Sequence, residues 1–230
     1  MIAPPNADYR RQSDATEETA EWVQKNREVI QDQFVSMKTI TRHRYLEEER
    51  GIPALALQHW RWAGRIMMDR RSNAAFIHRD NEGVCGWEIR NFKFKGFSPG
   101  GSKGLFESKS NPRDHALYFC ESGIDAVSLS VINDEPLARY ASVAGQISNA
   151  QPRLIKAAIE RMPDGSQILA AMDADVSGRR LARSVEIAFE AAKRPMTFRQ
   201  IEPVGFKDWN AQLAEDCRPE TVRMRTLIPA

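Results

Sequence analysis

A glutamate and two aspartates stand at the ends of apolar runs. Glu121 follows Ala116-Leu117-Tyr118-Phe119-Cys120, and Asp173 and Asp175 follow the run from Gln167 to Met172. Runs without polar alternation read as strands buried on both faces, and in open α/β sheets ligands gather beyond the carboxyl ends of such strands. Residues two apart on an extended backbone point to the same side, so Asp173 and Asp175 can face one ion. An all-oxygen donor set without His or Cys favours Mg²⁺ or Mn²⁺ over zinc. Each acid alone has a plainer use. Asp175 can cap a helix starting near Ser177, and Glu121 can favour the dipole of the helix after it. For a single acid, capping is the better reading; three acids at one sheet edge shift the balance to a metal site.

A second chemical signal lies upstream. Between 90 and 113 there are six basic residues (Arg90, Lys93, Lys95, Lys103, Lys109, Arg113) against one acid, Glu107. Phe92, Phe94, Phe97 and Phe106 are interleaved, and Ser98-Pro99-Gly100-Gly101-Ser102 reads as a loop. Such a segment suits phosphate contacts from Lys and Arg, with Phe faces available for bases. A strand burying alternate Phe residues and solvating Lys93 and Lys95 explains Phe92-Lys93-Phe94-Lys95 equally well, but not the rest of the basic excess. Gly100-Gly101-Ser102-Lys103-Gly104 lacks the spacing of a P-loop, which excludes an NTPase reading.

The elements that must position these residues follow from periodicity. Asp14 with Glu17 reads as a capping box, followed by Trp22, Val23, Val29, Ile30, Phe34 and Met37 at helical spacing. Tyr45 to Arg50 reads as helical, stopped by Gly51 and Pro53, and Ala54 to Ala63 as a further short helix. Asn73 to His78 and Val84 to Arg90 flank turn residues Asn81 to Gly83, which predicts a β-hairpin. From residue 116 apolar strands alternate with helices: strands at 116–120, 140–144, 167–172 and 196–201, and helices over 124–131, after Pro152, and around Leu181 to Phe189. That alternation indicates a parallel sheet covered on both faces.

Composition sets outer limits. The 230 residues carry 33 Lys+Arg against 31 Asp+Glu, a formal charge of +2, and 42% are hydrophobic, enough for a folded core but uninformative about a partner. Three scattered cysteines (Cys85, Cys120, Cys217) fit a reducing compartment without a disulfide framework. The four histidines (His43, His59, His78, His115) show no metal-ligand spacing. No apolar run approaches the ~20 residues of a membrane span, and the first residues lack the apolar core of a secretory signal, so a cytoplasmic protein without membrane contact is expected.

Glu121-Ser122-Gly123-Ile124-Asp125, then Met172-Asp173-Ala174-Asp175-Val176-Ser177-Gly178-Arg179, then Lys207-Asp208, resemble in this order the Toprim domain of primases, topoisomerases and OLD-type nucleases. The segment from Tyr45-Leu46 and Arg50-Gly51-Ile52 through Gly86-Trp87-Glu88-Ile89-Arg90 to Lys103-Gly104-Leu105 resembles the domain that precedes Toprim in plasmid mobilisation and primase-like proteins. The resemblance implies an α/β fold: a Toprim-like central parallel sheet flanked by helices, preceded by a smaller α+β region with a β-hairpin and an N-terminal helix. The expected organisation is a tail and amphipathic helix over 1–40, a basic nucleic-acid-binding region over 41–113, the Toprim domain over 114–210, and a tail over 211–230. It also implies roles. Glu121 matches the general acid/base, and Glu121, Asp173, Asp175 and Asp125 the acids around Mg (or Mn). Gly178 matches the glycine that lets the next helix start close to the metal. Lys93, Lys95, Lys103, Arg179, Arg180 and Lys207 are the candidate nucleic-acid contacts, although Arg179 and Arg180 suit a solvated helical face about as well. The sequence departs from the family at Ser122, usually glycine in primases, and at Trp209-Asn210, where further acids normally stand. It has no zinc ribbon, topoisomerase tyrosine or ATPase motif.

The function expected from this pattern is Mg-dependent phosphoryl or nucleotidyl transfer on nucleic acid, primase-like, in plasmid or mobile-element DNA metabolism. A nicking nuclease, or a non-catalytic DNA-binding accessory, are the alternatives. The expected partners are single-stranded or duplex DNA, with RNA or nucleotides as further substrates, and a relaxase or helicase.

Overall fold

The computed structural model describes residue 24 and residues 26–217. The capping box at Asp14 and Glu17, the residues Trp22 and Val23, and most of the two expected tails lie outside the described residues.

Within them, 26–35 form helix α1, followed by β1 (Lys38–Thr39) and a single π-helical turn, Tyr45–Glu49. Gly51, with φ +64, ends that turn as expected. The helix expected over 54–63 is broken in two, α2 (Ala54–Gln58) and a 3₁₀ turn (Trp60–Trp62). His59 is extended between them (φ −62, ψ 136), and its ring nitrogen accepts from the Arg61 N–H, so the local cap outweighs helical continuity. Next come β2 (Ile66–Met68), β3 (Ala74–Asp80), β4 (Gly83–Arg90), β5 (Lys95–Phe97) and β6 (Leu105–Glu107). The alternating half follows as β7 (Ala116–Cys120), α3 (Gly123–Asn133), β8 (Ala138–Ser142), α4 (Gln151–Glu160), β9 (Gln167–Ala171), α5 (Val176–Ala192), β10 (Thr197–Ile201) and α6 (Trp209–Asp216). Pro152 occupies the first turn of α4, where its missing N–H costs nothing. Helix α6 runs past residue 210 and buries Trp209 and Leu213.

All ten strands of the described residues join one sheet. Strands β8, β7, β9 and β10 are parallel, in that spatial order, as the unbroken apolar runs require. The hairpin β3–β4 is antiparallel, with β5 outside it. One edge of β3 is shared: Ala74 to Phe76 pair with β2, while His78 and Arg79 pair with β6. Strand β6 then pairs with β8, Phe106 opposite Ser142. The basic region is thus stitched to the parallel sheet through three residues of β6.

One core lies between the sheet and α3, α6 and the π turn, and it draws on both regions: Trp62 stacks on Phe106 at 5.4 Å, and Phe76, Tyr118 and Tyr140 pack nearby. A second core holds α4 and α5 on the other face of the parallel strands. A third places α1 over β3 and β4 through Ile30, Ile77 and Trp87. Cys85, Cys120 and Cys217 are free thiols. Among the described residues no helix is long and apolar enough to cross a membrane.

Candidate active site and nucleic-acid surface

Strands β7 and β9 are hydrogen-bonded neighbours, Phe119 opposite Ala170, so the chain leaves their carboxyl ends side by side. That register sets Glu121 and Asp173 at one edge. Glu121 is half-buried, and its Oε2 has no hydrogen-bond partner although no solvent reaches it. Burial pushes its carboxyl above the usual range, with the Asp175 charge adding to it and Lys95 and Lys207 opposing. Its backbone carbonyl accepts from the Gly145 N–H at 2.9 Å, which holds the loop after β8 against it.

Asp173 is buried, and its Oδ1 also lacks a partner. Burial, then the charges of Asp125, Glu121, Asp208 and Asp175, push its carboxyl up to about 8. The extended geometry expected for Asp173 and Asp175 is not what forms. Strand β9 ends at Ala171, and the Asp175 N–H donates to the Asp173 carbonyl at 2.8 Å, a tight turn. Asp175 instead caps α5: its Oδ1 accepts from the Gly178 N–H at 2.9 Å, the main reason its carboxyl lies below the usual range, and its Oδ2 faces Lys207 Nζ at 3.8 Å. Gly178 is required here. A Cβ on it would lie 2.0 Å from the Asp173 carbonyl oxygen, so only glycine lets α5 start against the acid turn.

Asp125 lies behind these two, buried in the first turn of α3. It accepts from Ser122 Oγ at 2.5 Å and from the Asn210 N–H at 3.3 Å, and burial pushes its carboxyl to about 6. Asp208 completes the ring of acids around Asp173 while capping α6 through the Ala211 N–H at 2.7 Å. Asp208 stands in the Lys207-Asp208 pair that carried the resemblance, and that pair was its only sequence signal.

Among the described residues no three His, Cys, Asp or Glu side chains are already arranged around one metal position. The donor set nevertheless fits a hard divalent cation. Glu121 Oε2 and Asp173 Oδ1 are buried carboxylate oxygens with no donor, and crowded like charges are what a cation relieves. Glu121, Asp173 and Asp175 are the residues that would hold it. Asp125 is committed on both oxygens to Ser122 and Asn210.

The candidate basic contacts separate into three groups. Lys103 is used internally, its Nζ donating to the carbonyls of Ala144 and Gln146 at 3.0 and 3.1 Å, which pins the loop beside Glu121. Lys95 and Lys207 are exposed and act electrostatically on Glu121, and Arg179 and Arg180 are exposed in the first turn of α5. Lys93 is exposed in the β4–β5 turn. Phe92 and Phe94, which alternation would have buried, are both 51% exposed.

Sequence reasoning gave Glu88 no role. It is fully buried in β4, below the start of α3. Its Oε1 accepts from the Gly123 N–H at 2.9 Å and Ser142 Oγ at 3.3 Å, and its Oε2 from Arg90 at 2.6 Å. Burial alone would raise this carboxyl, but His78, Arg90 and the Gly123 N–H outweigh burial and hold it below the usual range. The sequence signal was a carboxylate inside an otherwise apolar strand.

Residues 118–213 match the family model described as Toprim-like, and residues 44–112 match that of DUF3991, described as a protein of unknown function. Among solved structures, the chain is similar to the primase fragment of the bacteriophage T7 primase-helicase protein, with 19% identity and a TM-score of 0.54, covering 78% of this chain and 72% of that one. It also matches a chain from a bacteriophage T7 lagging-strand DNA polymerase structure containing primase domains, an RNA/DNA hybrid and dTTP, at 22% identity and a TM-score of 0.49, over 81% of this chain and 89% of that one. No curated protein matches the chain. At 19% identity, the likeness to the primase fragment establishes the fold alone.

Proposed function

Because residues 118–213 form a Toprim-type domain, we propose that the chain catalyses metal-dependent phosphoryl or nucleotidyl transfer on nucleic acid, as a primase-like enzyme of plasmid or mobile-element DNA metabolism. The observation that carries this is the pair of partnerless buried oxygens, Glu121 Oε2 and Asp173 Oδ1, at the adjacent ends of β7 and β9. Mg²⁺ or Mn²⁺, when bound, supplies charge neutralisation at the transferring phosphoryl group. The chain's own residues do the rest. Glu121, with its raised carboxyl pKa, takes the proton from the attacking hydroxyl as the new P–O bond forms and the bond to the leaving oxygen breaks. Asp173 and Asp175 would hold the cation together with Glu121, and Asp125 braces α3 against α6 behind them. Lys95 and Lys207 set positive charge beside the acids, where the phosphate backbone must approach.

The test is incubation with labelled single-stranded and supercoiled DNA, with and without Mg²⁺ or Mn²⁺ and nucleotides. The expected result is a metal-dependent primer or nicked product, reduced at least ~100-fold in Glu121→Gln and Asp173→Ala. Product formation that persists in both variants would overturn the site.

A further inference from the structure

The turn between β4 and β5 carries two phenyl rings in water. Phe92 and Phe94 are each 51% exposed, although the turn that bears them is firmly built. The Asn91 N–H donates to the Phe94 carbonyl at 3.0 Å, and the Asn91 side chain accepts from the Lys93 N–H at 2.7 Å, an Asx turn. The Asn91 amide also donates to Asn73, which Asp69 holds in turn at 2.7 Å. Each ring is braced. Phe92 meets Tyr45 edge-on at 5.4 Å, and the Arg44 guanidinium lies over it at 5.7 Å. Phe94 lies across Gly96, where a Cβ would come within 2.6 Å of the ring. Rigid, half-solvated aromatic rings cost stability in a monomer and serve recognition.

Four cations stand near the turn, against Asp32 and Asp69 in the groove beside it, the latter engaged by Asn73. Lys93 and Lys95 flank the rings, and Arg70 and Arg71 stand on the rim of a groove of ≈ 890 Å³ into which Phe94 faces, beside Trp87 and Phe97. None of these four cations forms an ion pair among the described residues.

We propose that the 91–95 turn is a base-stacking platform for single-stranded nucleic acid. Phe92 and Phe94 take bases, and Lys93, Lys95 and the Arg70–Arg71 pair take phosphates. This rests on the nucleic-acid reading of the acid edge. A base inside a duplex is stacked between its neighbours and has no free face to offer, so duplex engages the cations only.

Binding in EDTA separates the platform from metal chemistry. A short labelled oligodeoxynucleotide carrying 2-aminopurine is titrated into the full chain and followed by anisotropy and by quenching of the base analogue. Phe92→Ala and Phe94→Ala are expected to weaken binding roughly 5- to 150-fold each and to abolish quenching, with an unchanged salt slope. Phe92→Tyr and Phe94→Tyr retain the rings and are expected to bind as the parent does. Leucine at either position keeps apolar area but not the ring, and is expected to bind as weakly as alanine. Lys93→Gln with Lys95→Gln is expected to flatten the salt slope by about 0.7 per charge. Leucine variants that bind and quench like the parent would overturn stacking and indicate an apolar protein contact. Unchanged binding in the alanine variants, with metal-dependent activity intact, would overturn the platform alone. A parent chain that binds no oligonucleotide and yields no product would overturn both readings.

Discussion

Asp173 shows at a single residue what crowding acids at one sheet edge costs a fold. Its carboxyl titrates at about 8 because burial and four neighbouring carboxylates disfavour its charge. An unfolded aspartate loses its proton near about 3.9. Between pH of about 4 and about 8 the folded chain therefore holds a proton that the unfolded chain has released. The contribution of this group to stability must then fall as pH rises through that window, and level off above it. In EDTA, the melting temperature is expected to decline from pH ~5 to ~8.5 more steeply in the parent than in Asp173→Asn. At pH ~8 the variant is expected to be more stable by roughly 1–2 kcal/mol, or about 2–8 °C, and Mg²⁺ to raise the parent only. Scanning calorimetry checks this. An Asn variant less stable than the parent at that pH would show that the Asp173 charge is held by something other than repulsive neighbours.

At the scale of elements, the entry of α5 is the critical join. Gly178 sits against the Asp173 carbonyl with no room for a methyl group, while Asp175 caps the same turn. Gly178→Ala is expected to destabilise by roughly 1–3 kcal/mol although alanine is the better helix former, because α5 must move off the turn. Asp175→Ala is expected to cost less than Gly178→Ala, since it removes a cap and leaves the turn in place. Urea denaturation of the metal-free chain ranks the two, and equal costs would mean that the turn yields easily. These elements were legible because their signals are local: unbroken apolar runs at β7 and β9, Pro152 opening α4, acids just past strand ends. The two- and three-residue strands β1, β2, β5 and β6 were not, since their partners lie far along the chain and no periodicity fits in three residues. The Phe92-Lys93-Phe94-Lys95 alternation suggested a strand, but the Asn91 side chain turned it into a loop. Strand-end acids could be named as a site from sequence. Glu88 could not, because its partners Gly123 and Ser142 come from other elements.

For the whole molecule, that buried carboxylate ties the two regions into one unit. Strand β4 belongs to the segment matched by one family model, Gly123 and Ser142 to the segment matched by the other, and Glu88 bonds all three together. With β6 paired to β8 and Trp62 packed beside Tyr140 at 6.3 Å, neither segment closes its core alone. Residues 26–217 are therefore expected to unfold in one cooperative transition, and a fragment beginning at residue 114 to lack a stable fold. Glu88→Ala strips a buried Arg90 of its partner and is expected to cost about 3–5 kcal/mol. Glu88→Gln is the sharper probe. The folded carboxyl lies below its usual range, so its contribution is present above about pH 4.3 and is lost as pH falls through the folded value. The stability gap between the parent and Glu88→Gln should therefore be widest near neutrality and narrow below pH ~4. Denaturant titrations at both pH values, followed by tryptophan fluorescence and circular dichroism together, measure the gap and the cooperativity at once. Two separated transitions would break the single-unit account, because a shared sheet with a shared buried charge cannot release one half first.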